Sequence, residues 1–201
     1  MPPYRDVAAF DDRARSYDEG WRGRLHHAIS NRTAALAAAT VAAPQRVLDV
    51  GCGTGYLIRV LAGHYPRAQE LAGIDAASNM IQAAKSINDD ERLTFVTGVA
   101  EQLPYADASM DLVVSSTSFD HWSDQGAGLA ECARVLRPGG YLVLVDQFSQ
   151  WLIPTLAVSR RGKARTRRRA TALLVGAGFD RPDWHHLYAV IINAAVATRS
   201  S

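Results

Sequence analysis

The sequence predicts an α/β fold, a doubly wound and mostly parallel sheet covered by helices on both faces. Two observations lead there. The segment V-L-D-V-G-C-G-T-G-Y-L-I-R-V-L, residues 47–61, packs a buried strand, a glycine turn and a helix start together. Short apolar runs then recur at 71–75, 93–98, 110–116 and 141–145 with helix signals between them, the alternation that builds parallel sheets from strand–helix–strand units. With 201 residues, of which 48% are hydrophobic and 21% charged, the chain suffices for a single domain, 1–201, with a sizeable core.

In chain order, residues 1–44 are expected to form a helical cap and first helix in front of a core spanning 45–201. Phe10, Ala14, Tyr17, Trp21 and Leu25 recur at helical spacing, and 29–43 is an alanine-rich helix leading through Pro44 into the first strand. In that strand Val47, Leu48 and Val50 form an apolar run broken only by Asp49, as a strand covered on both faces requires. Gly51, Gly53 and Gly55 then supply positive φ, close approach of backbone to a ligand, and tight packing of the next helix. The second strand, L-A-G-I-D at 71–75, ends in Asp75, about twenty residues beyond the glycine turn, where a carboxylate can accept from both hydroxyls of a ribose. Ser78 and Asn79 are suited to cap the following helix. The third strand, 93–98, precedes V-A-E-Q-L-P-Y at 99–105, and the fourth is M-D-L-V-V-S-S at 110–116. Glu131 and Arg134 lie at i, i+3 on the next helix, where an ion pair is common, and are read as structural. After the fifth strand, 141–145, come an apolar piece at 151–158, a basic run, a helix over 170–175 ending at Gly176 or Gly178, and a final strand pair, 181–188 and 189–198.

The glycine spacing is G-x-G-x-G rather than the G-x-G-x-x-G of dinucleotide sites, and Asp49 closes the strand. A carboxylate there repels a diphosphate and suits a ligand carrying an ammonium and a sulfonium beside its adenosine. S-adenosylmethionine is such a ligand. The D-V-G-C-G-T-G segment resembles the first motif of class I S-adenosylmethionine-dependent methyltransferases, and the likeness continues through Asp75, the 99–105 segment (similar to G-D-A-x-x-L-P-F) and the 130–140 helix and turn. It covers residues 46–146 with the motifs in the family's order. The resemblance implies a Rossmann-like, seven-stranded sheet with an antiparallel last strand, S-adenosylmethionine as cofactor and S-adenosylhomocysteine as product. It places Tyr17, Asp49, Gly51, Cys52, Gly53, Gly55, Tyr56, Asp75, Ala76, Met80, Val99, Ala100, Glu101, Ser115 and Ser116 around the cofactor. Met80 resembles the residue that lies against adenine, with core packing as the alternative. Val99 departs from the family's usual acid and cannot accept from the adenine amino group, which leaves that contact to the Ala100 backbone and Glu101. The F-D-D-R-A-R-S-Y-D segment, residues 10–18, is expected to fold over the cofactor with Tyr17 near its methionine end, while Trp21 packs the cap.

Ligands in such sheets bind outside the carboxyl ends of the strands, so the acceptor side is expected to hold Ser116, Phe119, Asp120, His121, Trp122, Gln147, Phe148, His186 and Tyr188. Methyl transfer needs mainly alignment, and a base only where the nucleophile carries a proton. His121 is the candidate base with Asp120 in reserve, the alternative being a surface residue ahead of the helix that Ser123 or Asp124 caps. His26, His27, His64 and His185 are read as having no such role.

The composition narrows the classes. Two cysteines, Cys52 and Cys132, give neither a disulfide framework nor a metal pattern, the N-terminus lacks a signal sequence, and no apolar run spans a bilayer. The expectation is a cytoplasmic enzyme without a metal. The net charge of +2 is too small to argue a nucleic-acid partner, and none is expected, although seven of the ten residues 160–169 are basic. On a helix Arg161, Arg165 and Arg168 would share a face able to rest on anionic lipid beside the apolar 151–158 piece, with a solvated face as the alternative. The function expected is methyl transfer to O or C of a small lipophilic or aromatic molecule. The alternatives are an RNA or protein methyltransferase using the basic run, or a cofactor-binding protein without methyl transfer. An N-P-P-Y-like tetrapeptide is missing after strand four, where S-S-T-S stands. Oligomeric state is not legible.

Overall fold

The computed structural model describes residues 7–148, 166–189 and 191–200. Seven strands form one sheet in the order β3-β2-β1-β4-β5-β7-β6. They are β1 Arg46–Val50, β2 Glu70–Asp75, β3 Leu93–Thr97, β4 Met110–Ser116, β5 Leu136–Gln147, β6 Asp183–Tyr188 and β7 Ile192–Thr198. The first five are parallel, β7 runs antiparallel to β5, and β6 antiparallel to β7. The helices are α1 Val7–Arg13, α2 Gly20–Thr40, α3 Tyr56–His64, α4 Ser78–Ser86, α5 Gln125–Val135 and α6 Arg167–Gly176. From β1 the chain steps outward to β2 and β3, then returns to place β4 on the other side of β1. The crevice at the carboxyl ends of β1 and β4 is the switch point where such sheets bind ligands.

Alternate residues of the central strands feed two cores. Leu48, Val50, Val113, Leu142 and Leu144 pack with Leu129 and Cys132 of α5 and Ala170 and Leu174 of α6. Val47, Leu112, Val114, Val143 and Val145 pack with Ile29, Ala34 and Ala37 of α2 and Leu57, Ile58 and Leu61 of α3. This period of two decides the site, because Asp49 shares the face of Val47, and Ser116 the face of Val114. Both therefore belong to the side of α2 and α3, the cap side.

Several local expectations are revised. The cap is not one continuous helix: α1 ends at Arg13, a 3-10 turn covers Ala14–Ser16, and α2 starts at Gly20, earlier than the expected helix at 29. This break leaves Tyr17 and Asp18 in the connection. Neither Ser78 nor Asn79 caps α4 through its side chain; the Asn79 N–H donates instead to Oδ1 of Asp11 on α1 (2.8 Å), so the cap supplies the missing acceptor. β5 begins at Leu136 because Leu136 pairs with Met110 ahead of a register shift. The 151–158 piece and Arg160, Arg161, Lys163 and Arg165 lie outside the described residues; Arg167, Arg168 and Arg169 open α6. No helix among the described residues is long and apolar enough to cross a membrane.

Glu131 and Arg134 are structural, as expected. Arg134 Nε donates to Glu131 Oε1 (2.7 Å), its two terminal nitrogens to the carbonyls of Tyr105 (2.8 Å) and Leu103 (2.9 Å), and Glu131 Oε2 accepts from the Leu103 N–H (2.8 Å). The pair clamps the segment after β3 onto α5. Arg134→Ala is expected to lower stability by about 2 kcal/mol in urea unfolding, with Arg134→Lys recovering only part, because an ammonium cannot reproduce the planar fork.

Candidate functional site

An open pocket of about 400 Å³, counted out to its mouth and including solvent space, lies at the carboxyl ends of β1 and β4. One wall is Asp49, Gly51, Cys52, Gly53 and Thr54 with Ser116 and Thr117; the other is Tyr17, Asp18, His26, His27 and Ser30 from the cap, and Tyr56 and Leu57 of α3 close one side. Of the residues expected around a cofactor, seven meet here: Tyr17, Asp49, Gly51, Cys52, Gly53, Tyr56 and Ser116.

Asp49 dominates the electrostatics. Its side chain is 1% exposed and neither carboxylate oxygen has a hydrogen-bond partner. Burial, and then the charge of Asp75, push its carboxyl up to about 8. A buried carboxylate without donors is costly, and an ammonium group brought into the pocket would supply both the donors and the opposite charge. Ser116 Oγ is a second buried polar atom without a partner, on the same face of the sheet.

The glycine turn is tied on both sides. The Gly51 and Cys52 N–H groups donate to the Ile74 carbonyl (2.8 and 3.0 Å) and the Gly53 N–H to Asp75 Oδ2 (2.9 Å). From the other side Ser118 Oγ donates to the Val50 carbonyl (3.0 Å), lies 2.9 Å from Ser115 Oγ, and accepts from Trp122 Nε1 (3.2 Å). A Cβ on Gly51 would sit 2.2 Å from Ser118 Oγ, so that glycine admits the loop after β4 as well as bordering the pocket. At Gly53 (φ +53°) the nearest atom to an added Cβ is the Tyr17 ring at 3.9 Å, which leaves open space for a ligand against the backbone. Gly55 packs against Phe95 and opens α3, as expected for a helix-packing role. Thr117 holds φ +54° while its N–H donates to the Val145 carbonyl, a strained turn at the mouth of the site.

The remaining expected cofactor residues are not among those lining this pocket. Asp75 is half-buried and accepts from the Ala77 N–H through Oδ1 (2.9 Å), with its carboxyl raised chiefly by burial; Ala76 follows it, half-buried. Met80 is buried beneath the cap with Ala14, Phe10 and Tyr17, which is the packing alternative. Val99 pairs with Gln102 in a small bridge, Ala100 is buried, and Glu101 Oε1 accepts from the Asp124 N–H (2.9 Å), holding the start of α5. Asp124, not Ser123, caps that helix.

The acceptor-side expectations fare differently. Phe119, Trp122 and Phe148 are core residues, 1%, 6% and 1% exposed; Phe119 meets Trp122 edge-to-face and Phe148 at a tilt, and Phe148 meets Trp184 edge-to-face, so they pack into the core instead of lining the pocket. Gln147 is exposed at the end of β5. His186 is exposed on the edge strand β6 with its ring nitrogen against the Ala189 carbonyl, and Tyr188 lies under Arg32 of α2. His121 is exposed on the 3-10 turn Phe119–His121 with its ring edge on Phe10 (5.0 Å), outside the pocket, and the Asp120 N–H donates to the buried Asp146. Conversely, His26 and His27, read from the sequence as having no role, line the pocket with Asp18 of the segment expected to cover it and with Ser30, Thr54 and Thr117, which the sequence did not mark as site residues. For Thr54 and Thr117 the signal was adjacency to a strand end; for the cap residues, contact with the turn is made only by the fold.

Residues 48–144 match the family described as Methyltransferase domain. A demethylmenaquinone methyltransferase of Deinococcus radiodurans is 39% identical over 131 residues, 64% of this chain and 50% of that protein. A malonyl-[acyl-carrier protein] O-methyltransferase of Hahella chejuensis is 39% identical over 109 residues, 54% of this chain and 39% of that protein. The chain thus spans about half the length, or less, of these curated relatives. Among solved structures, an S-adenosylmethionine-dependent methyltransferase from Aquifex aeolicus shares the fold with a TM-score of 0.74 at 17% identity, covering 94% of this chain and 98% of that one. Residues 48–144 therefore match a methyltransferase domain, and the chain shares its fold with solved S-adenosylmethionine-dependent methyltransferases.

Proposed function

We propose that the chain transfers the methyl group of S-adenosylmethionine to an oxygen or carbon atom of a small lipophilic or aromatic molecule. The observation that supports this most is Asp49, a buried carboxylate without a partner, set beside a glycine turn and lining an open pocket at the strand ends. It fits the ammonium of the cofactor's methionine end. S-adenosylmethionine supplies a methyl group on a positively charged sulfur, which an acceptor displaces in line. The chain's own residues bind and align: Asp49 takes the ammonium, the Ser116 hydroxyl a neighbouring polar atom, and the backbone at Gly53 admits close approach. Asp75 is the ribose acceptor, already oriented by the Gly53 and Ala77 N–H groups. Tyr17, whose phenol burial and Asp75 push up to about 12, stays neutral and closes the pocket against water. The names of the two relatives, a demethylmenaquinone methyltransferase and a malonyl-[acyl-carrier protein] O-methyltransferase, support methyl transfer, the second to oxygen.

Calorimetry is the direct test. S-adenosylmethionine and S-adenosylhomocysteine are expected to bind with low-micromolar or tighter affinity. Asp49→Asn should weaken both by about 2–3 kcal/mol, and Asp75→Ala by about 2 kcal/mol. At pH 6.5, below the value of about 8, Asp49 is protonated in the free protein, so binding an ammonium should expel its proton. The measured enthalpy should then vary with the ionisation enthalpy of the buffer in the native protein and lose that dependence in Asp49→Asn. Undiminished affinity in Asp49→Asn would refute the assignment.

The same carboxylate sets a stability trend. Its folded value is raised, so between the ordinary carboxylate range and about 8 the folded state holds a proton that the unfolded chain has released. Stability contributed this way is present at low pH and declines as pH rises through that window. Melts of the ligand-free protein from pH 5 to 8 should show the decline, less steeply in Asp49→Asn, and saturating S-adenosylhomocysteine should flatten it.

A further inference from the structure

The pocket's second wall carries chemistry that cofactor binding does not use. Asp18, His26, His27 and Ser30 of the cap face the glycine turn across it. Of the two histidines, His27 has a fixed partner: its Nε2 lies 2.9 Å from Asp18 Oδ1, and its ring stacks on Tyr56 with centroids 3.7 Å apart and planes 5° from parallel. Both members stay reachable, His27 being 28% and Asp18 33% exposed. The chain is shaped to bring them together. Gly23 lies one turn before His27 on α2, and a Cβ there would sit 2.1 Å from the Asp18 carbonyl oxygen, so only the bare backbone lets the 17–19 connection lie against this face. Tyr56, the first residue of α3, is itself held through its hydroxyl to Asn31 Oδ1 (3.3 Å). The other ionisable groups around the pair are His26, whose ring stacks on Tyr17 and whose pKa burial lowers, Arg59, which donates to the Thr54 carbonyl, and Asp49 on the opposite wall.

We propose that His27, oriented by Asp18, is the base that receives the proton of a phenolic acceptor held in this pocket. The proposal rests on the methyltransferase reading above and assigns the acceptor a protic, aromatic character. With Nε2–H donated to Asp18, the lone pair of His27 is on Nδ1. As the acceptor oxygen forms its bond to the methyl carbon, the carbon–sulfur bond breaks with its pair remaining on sulfur, and the phenolic proton passes to Nδ1. Asp18 then faces an imidazolium, whose charge it stabilises, and the proton leaves to water. The flat Tyr17 and Tyr56 rings beside the two histidines suit an aromatic acceptor over an aliphatic alcohol.

The test uses 4-nitrophenol as probe, whose ionised form absorbs visibly, with the protein saturated by S-adenosylhomocysteine. Bound to the native protein, the probe should ionise about one pH unit lower than in water, a tenfold shift toward phenolate. The shift should vanish in His27→Ala and His27→Gln and shrink in Asp18→Asn, each variant first shown to melt cooperatively and to bind S-adenosylhomocysteine. A shift that persists without the imidazole, or a probe that binds without any shift, overturns the proposal. Failure of 4-nitrophenol to bind a protein that does bind S-adenosylhomocysteine overturns it as well. Failure of S-adenosylhomocysteine itself to bind would instead strike the methyltransferase reading beneath it.

Discussion

The turn after β1 is the joint on which this molecule is built. Its backbone N–H groups are satisfied by the Ile74 carbonyl and the Asp75 carboxylate on one side, and its preceding carbonyl, at Val50, by Ser118 on the other. One short segment therefore fixes β2, β1 and the loop after β4 relative to one another. The absence of a side chain at Gly51 is what allows Ser118 to cross so closely. The joint thus draws on the Asp75 and Ser118 side chains, while the carboxylate of Asp49 takes no part in it.

Those side chains are arranged against the interest of the empty protein. Asp49 is buried with no donor, Asp75 and Asp146 have raised carboxyls chiefly through burial, and Thr117 sits in a left-handed conformation. Each costs stability that the two apolar cores must offset. Asp146 is compensated by the Asp120 and Gln147 N–H groups, whereas Asp49 is not. This contrast separates a carboxylate that organises the loops from one that is left without donors at the pocket wall.

The cap makes the site a pocket rather than an open crevice. Asp11 completes the hydrogen bonding at the start of α4, Phe10 and Tyr17 cover Met80, and Tyr17 lies across from Gly53. The break between α1 and α2 matters here, since a continuous helix would have carried Tyr17 and Asp18 past the turn. Residues of an ordinary helical pattern thus become pocket residues through a kink.

The sequence by itself determined the strand–helix alternation, the glycine turn after β1, and the places of Asp49 and Asp75 beside it, because these depend on local spacing: a period of two in the strands, positive φ at glycines, an acid at a strand end. It also identified the Glu131–Arg134 pair, whose partners are one helical turn apart. It did not reveal that Phe119, Trp122 and Phe148 turn inward, since an aromatic residue after a strand can face either the crevice or the core, and only packing against Trp184 and one another decides. It favoured His121 as the candidate base and gave His27 no role, because only His121 follows a strand end in the chain. What distinguishes them is tertiary: His27 meets Asp18 across nine residues and Tyr56 from another helix, while His121 rests on Phe10 outside the pocket. Contacts between elements distant in the chain are set by how the cap folds back over the sheet, and no local periodicity encodes that angle.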